Sequence, residues 1–67
     1  MLRAKYEAYE QGLKTVDLAQ KVGIKPQAMS RILNGQEPAW PRRGQRIADA
    51  LGWDRPWQEL FDEIEVD

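Results

Sequence analysis

Four polar side chains between residues 25 and 34 have the hydrogen-bonding groups needed to bind an external partner. Gln27 and Arg31 are four residues apart, so on a helix both lie on the same face. A glutamine amide can pair with the edge of adenine, and a guanidinium can pair with the edge of guanine. Ser30 and Lys25 are secondary candidates for the same chemistry. The segment therefore has the groups required to read base edges in a DNA groove.

The composition argues against catalysis and against a metal centre. Cysteine and histidine are both absent, which removes thiolate chemistry, the commonest general base and the commonest metal ligand. The acids at residues 62, 63, 65 and 67 have no ligand spacing, so a solvated acidic tail over 62–67 is expected. No run approaches the roughly 20 apolar residues of a membrane span. We expect a cytoplasmic protein that is not an enzyme and has no cofactor, metal, small-molecule ligand or membrane partner.

The charge is distributed unevenly along the chain, although the net charge is only −1. All 10 Lys and Arg lie in residues 1–55 beside 6 acids, which leaves that part at +4. The other 5 acids lie in residues 56–67. A basic body can neutralise phosphates even when the whole chain is weakly acidic, so a nucleic-acid partner remains compatible with the composition.

Glycine and proline signals divide the chain into five predicted helices, and no strand pattern appears between them. The helices are predicted at about residues 2–11, 15–22, 26–34, 41–51 and 55–64. Thr15 and Asp54 are predicted to cap the second and fifth helices. The expected fold is an all-α, compact bundle forming a single domain over residues 1–67.

Apolar spacing predicts which side of each helix faces the core. The predicted core positions are Leu2, Tyr6 and Tyr9 in the first helix, Val16, Leu18, Ala19 and Val22 in the second, Met29, Ile32 and Leu33 in the third, and Trp57, Leu60, Phe61 and Ile64 in the fifth. Trp53 and Trp57 could instead form an aromatic binding pocket, but their spacing at a helix junction favours core packing.

The second and third helices are joined by a short turn with three structural residues. Ala19 is small, which suits a place where two helices cross closely, and Gly23 permits the positive φ of a sharp turn. Ile24 is an apolar wedge between the helices. Two short helices joined in this way are the sequence form of the DNA-binding helix-turn-helix.

Two stretches carry a specific resemblance, TVDLAQKVGI at residues 15–24 and SRILNG at residues 30–35. They resemble the family of lambda-type phage repressors and Cro proteins. IADALG at residues 47–52 and ELF at residues 59–61 extend the likeness over nearly the whole chain. The resemblance implies a bundle of five short helices with a helix-turn-helix formed by the second and third.

The resemblance also implies which residues contact DNA. Bases would be read from the early residues of the third helix, but Pro26 departs from the family pattern because its side chain cannot hydrogen-bond. Gly44 also departs from an expected larger residue, at about 1 kcal/mol relative to Ala, and Trp40 is expected to fill the space. The expected phosphate contacts, from the resemblance and from basic residues near helix starts, are Thr15, Lys25, Asn34, Arg42 and Arg43.

These observations predict a sequence-specific transcriptional regulator of phage or prophage type that occupies an operator as a homodimer. Residues 61–66 are the candidate dimer surface. The alternative is a protein-interaction module, such as an antitoxin or regulator domain, that uses an acidic fifth helix. Partner binding that survives replacement of Gln27 and Arg31 by alanine would favour this alternative.

Overall fold

Prolines and glycines set the bounds of the helices in the computed structural model, which describes residues 1–66. Pro26 and Pro41 occupy the first positions of their helices, where an amide would be unpaired in any case. Gly23 and Gly52 end theirs in the left-handed conformation, with φ of 85° and 69°. The helices are α1 (Arg3–Glu10), α2 (Thr15–Val22), α3 (Pro26–Leu33) and α4 (Pro41–Leu51), followed by a 3₁₀-helix (Trp57–Phe61).

The all-α prediction is confirmed for the described residues. The core lies between the four α-helices and is completed by the 3₁₀-helix. Its largest fully buried side chains are Leu18, Val22, Met29, Ile32, Ile47 and Leu60. In residues 1–66 there is no helix long and apolar enough to span a membrane.

The inner face of α1 differs from the prediction. Ala4 and Ala8 are 0% and 4% exposed, whereas Tyr9 is 79% exposed and Tyr6 is half-buried. Alanines four residues apart form a smooth stripe that lets a helix approach its neighbours closely. Leu2, which precedes α1, is buried as predicted.

The start of α2 also corrects two predictions. Thr15 is the first residue of the helix and Lys14 occupies the N-cap position, so Thr15 is not the capping residue. The carboxylate of Asp17 instead accepts a hydrogen bond from the Lys14 amide at 3.1 Å. Val16 is 45% exposed, while the predicted core residues Leu18, Ala19 and Val22 are buried.

The predicted fifth α-helix over residues 55–64 is wrong. Residue 55 precedes Pro56, which disfavours the α conformation there, and helical structure is limited to the 3₁₀-helix Trp57–Phe61. Pro56, not Asp54, occupies its N-cap position. Leu60 is nevertheless fully buried, so its predicted core position is confirmed although the backbone geometry differs.

Backbone pairing with the start of the chain replaces the last turns of the predicted helix. The Arg3 amide donates to the carbonyl of Asp62 at 3.0 Å, and the Ile64 amide donates to the carbonyl of Met1 at 2.8 Å. These bonds flank an isolated antiparallel bridge between Leu2 and Glu63. Residues at the start of the chain therefore pair with backbone groups of residues 62–64 that would otherwise have formed hydrogen bonds within a helix.

Trp57, not Trp40, fills the space beside Gly44. A Cβ atom added at Gly44 would overlap the indole of Trp57, whereas Trp40 is 68% exposed. Trp53 and Trp57 are both partly buried and pack on the core, so the core interpretation of these two tryptophans is confirmed. Phe61 contacts the Trp57 ring edge-on, with centroids 6.0 Å apart.

We predict that Gly44→Ala destabilises the protein by about 1–3 kcal/mol because the new methyl group overpacks against Trp57. Helix propensity alone predicts the opposite sign, a gain of about 1 kcal/mol. The measurement is the free energy of unfolding from a denaturant titration. Gln45→Ala, on the exposed side of the same helix, is the control, and a stabilised Gly44→Ala variant would contradict this packing.

Candidate functional site

The turn between α2 and α3 fixes how α3 lies on the core. The Gly23 and Ile24 amides both donate to the carbonyl of Ala19, at 2.8 and 3.1 Å. Ala19 is fully buried, and Ile24 is partly buried and packs on the core. Each of the three predicted turn residues therefore has a definite structural part in holding α2 against α3.

The outer side of α3 presents polar side chains, and its inner side is fully apolar. Gln27 and Arg31 are exposed, as is Lys25 at the N-cap position, whereas Ser30 is half-buried. Met29, Ile32 and Leu33 are the buried residues of the helix, as predicted. The Oγ of Ser30 accepts a hydrogen bond from the side-chain Nδ2 of Asn34 at 3.4 Å, which reduces the freedom of Ser30 to bind elsewhere.

The C-terminal end of α3 is flanked by lysines that sequence reasoning missed. The Nζ of Lys5 donates to the Oδ1 of Asn34 at 2.6 Å. Lys5, Lys14 and Thr15 also line a cleft of about 340 Å³ between α1 and the start of α2. This places Thr15 in a basic environment. No local pattern could have indicated Lys5, because it is 29 residues from Asn34.

The N-terminal end of α3 is flanked by a second group of cations. Lys25 and Arg43 line a shallow depression of about 410 Å³ with Gly23, Ile24 and Ala28. Arg46 lies beside the same turn, with a guanidinium nitrogen 3.5 Å from the position that a Cβ at Gly23 would take. Arg42 is exposed but does not line this depression. The structure thus brings Arg43 to the turn and adds Arg46, which sequence reasoning did not select.

Arg31 faces a carboxylate. The Nε of Arg31 is 3.6 Å from the Oε2 of Glu37, and the Arg31 side chain remains 53% exposed. Glu37 follows α3 in the sequence and folds back towards it. The guanidinium on the exposed face of α3 therefore lies next to a carboxylate.

Groups with displaced pKa values lie outside the candidate residues and owe their shifts to local hydrogen bonds. The pKa of Glu59 is lowered by the hydrogen bond from Arg55, at 2.7 Å between Oε1 and Nε, and the pKa of Tyr6 is raised by its hydrogen bond to Glu10. Within residues 1–66, no group of three or more carboxylates is arranged to hold a metal ion. Asp67, part of the predicted acidic tail, lies outside the described residues.

Similarity to known proteins gives no information about the function of the α3 surface. Comparisons of the chain with protein-family models, with curated proteins and with solved structures find no match. The functional interpretation therefore depends on the geometry and chemistry of the residues themselves.

We predict that Gly23→Ala destabilises the protein by about 1–2 kcal/mol, because a non-glycine residue is strained at a φ of 85°. Gly23→Asn should cost less, since asparagine tolerates the left-handed conformation better than alanine. Denaturant unfolding of both variants tests the expected order. Equal stability of the alanine variant and the wild type would show that the turn does not require this conformation.

Proposed function

We propose that the chain is a sequence-specific DNA-binding regulator of the lambda repressor and Cro type, in which α2, the turn and α3 act as a helix-turn-helix. The observation that carries the proposal is the exposed polar side of α3, flanked at both ends by cations. Gln27 and Arg31 are exposed on this helix. Lys25 and Arg43 lie at one end, and Lys5 lies at the other.

In this proposal α3 enters the major groove, whose width of about 12 Å accommodates one helix. Gln27 pairs with an adenine and Arg31 with a guanine, because these pairings match donors and acceptors on the base edges. Lys25 and Ser30 act as secondary readers. The bond between Ser30 and Asn34 at 3.4 Å makes Ser30 the less available of the two.

Phosphate contacts fix the position of the helix in the groove without reading sequence. The phosphate contacts proposed from the sequence are Thr15, Lys25, Asn34, Arg42 and Arg43. Lys5 and Lys14 join this set because they line one cleft with Thr15. Neutralisation of several phosphates makes the affinity fall steeply with salt concentration.

We propose that two copies bind together, since a domain of this size reads only a few base pairs. Half-sites would then be about 10 base pairs apart and related by two-fold symmetry. The segment 61–66 remains the proposed contact between copies, now as the last residue of the 3₁₀-helix and the non-helical residues that follow it. Val66 is 45% exposed and Ile64 is half-buried, so apolar surface is present there.

The protein-interaction alternative loses the element on which it was based, because residues 55–64 do not form an amphipathic α-helix. Its remaining support is the exposed acidic surface of Asp62, Glu63 and Glu65. An enzymatic function has no comparable support, and we propose a non-catalytic protein of the bacterial or phage-infected cytoplasm.

The direct test is selection from a pool of random duplexes at two salt concentrations. We expect recovery of a pseudo-palindromic motif and weaker binding at higher salt. Arg31→Ala should relax the preference at one base pair of each half-site and cost about 1–3 kcal/mol in binding. Sequencing of the bound duplexes gives the motif, and titration of the selected duplex gives the affinity.

Arg42→Ala is the matched control, since it removes the same guanidinium from a proposed phosphate contact. It should lower the affinity for all duplexes and reduce the salt slope by about 1 without changing the motif. If the wild type enriches no sequence at low salt, the operator hypothesis is wrong. Partner capture that survives replacement of Gln27 and Arg31 would then favour the protein-interaction module.

A further inference from the structure

Glu37 lies against the side chain to which we assign guanine recognition, and its carboxylate is unusually placed. Its Oε2 is buried and has no hydrogen-bond partner among the described residues. The cation that faces this oxygen is Arg31, with Nε at 3.6 Å. Burial of a charged oxygen without a donor is unfavourable unless an opposite charge faces it. The pairing with Arg31 is therefore the interaction that accounts for the position of this carboxylate.

The backbone after α3 delivers Glu37 to Arg31. The carbonyl of Arg31 accepts hydrogen bonds from the amides of Gln36 at 2.8 Å and Glu37 at 3.3 Å. Gly35 makes the reversal possible with a φ of 75°, and Pro38 limits the conformations available to Glu37. The main chain of Arg31 thus holds the residue whose side chain faces its guanidinium.

The side of the Arg31 guanidinium on which Glu37 lies determines which nitrogens can bind a base. The closest approach of the carboxylate is to Nε, at 3.6 Å, and the two terminal nitrogens lie beyond Nε in the planar group. Guanine is recognised by two parallel hydrogen bonds from such a fork. A carboxylate on the Nε side also limits the rotation of a flexible side chain, so less conformational freedom is lost when the base is bound.

We propose that Glu37 is a positioning residue that orients Arg31 and thereby restricts one base pair of each half-site to guanine. This inference rests on the proposed function and deepens it. The negative charge of Glu37 also opposes binding to the phosphate backbone. Neutralisation of Glu37 should consequently lower base discrimination. The affinity for non-matching DNA should stay the same or increase. A purely structural contribution of Glu37 would not separate these two quantities.

The experiment measures Kd for the selected duplex and for three duplexes that differ only at the base pair assigned to Arg31. Glu37→Gln keeps the size of the side chain and removes the charge. We expect the preference for guanine to fall by about tenfold, within the range that one bidentate contact supplies, while Kd for the other three duplexes stays equal or decreases. Glu7→Gln is the matched control because Glu7 pairs with Arg3 at 3.7 Å, and it should leave the preference unchanged.

The same substitution on an Arg31→Ala background separates positioning from simple charge repulsion. With Arg31 absent, Glu37→Gln should change Kd equally for all four duplexes and leave discrimination unaltered. Thermal unfolding of every variant checks that it is folded, and Glu37→Asp is the second variant if Glu37→Gln does not fold. Its shorter side chain keeps the charge but moves it away from Arg31, so discrimination should again fall.

The outcomes separate this inference from the function on which it rests. If the wild type discriminates among the four duplexes and Glu37→Gln discriminates equally well, the positioning role is wrong and the proposed function stands. If the wild type shows no sequence preference at any salt concentration, the proposed function is wrong and the positioning role is overturned with it.

Discussion

None of the α-helices in residues 1–66 is long enough to be stable alone, and the rest of the described structure depends on that constraint. The α-helices contain 8, 8, 8 and 11 residues, below the roughly 12–15 residues at which isolated helices become marginally stable in water. Each helix therefore persists only because its neighbours cover its apolar side. The orientation of α3 is a property of the whole core, since Met29 and Ile32 are fully buried while Gln27 and Arg31 on the same helix are exposed.

The sequence was most informative where one residue type has one backbone consequence. Pro26 and Gly23 define the turn between α2 and α3 because proline and glycine act locally. The prediction failed where side-chain size was taken as a guide to burial. It also failed where residues distant in sequence compete for backbone hydrogen bonds. Tyr9 has a larger apolar area than Ala8, yet a closely packed helix requires the smaller residue. The end of the predicted fifth helix was lost to backbone bonds with residues more than 55 positions away, which no local pattern records.

The candidate site shows the same division between local and distant information. Helical spacing alone was enough to place Gln27 and Arg31 on one exposed surface. Lys5 contacts Asn34 just after α3 and Arg46 lies beside the turn before α3; both come from other helices, so only the folded chain reveals them. Glu37 is the one acid between Lys25 and Arg46 in the sequence, and an acid beside DNA repels phosphate. Because Glu37 contacts Arg31, we propose that this acid restricts the Arg31 side chain, and its role is not only to repel phosphate.

Pairing between residues 1–3 and 62–64 has a consequence for the order of assembly. Contacts between adjacent helices close short loops, whereas joining these two segments closes a loop of nearly the whole chain, at a greater entropic cost. The hairpin of α2 and α3 can therefore form early and be retained when the two ends separate. Local opening of the paired ends does not itself break the contacts between α2 and α3, so we expect the polar side of α3 to be retained in such openings.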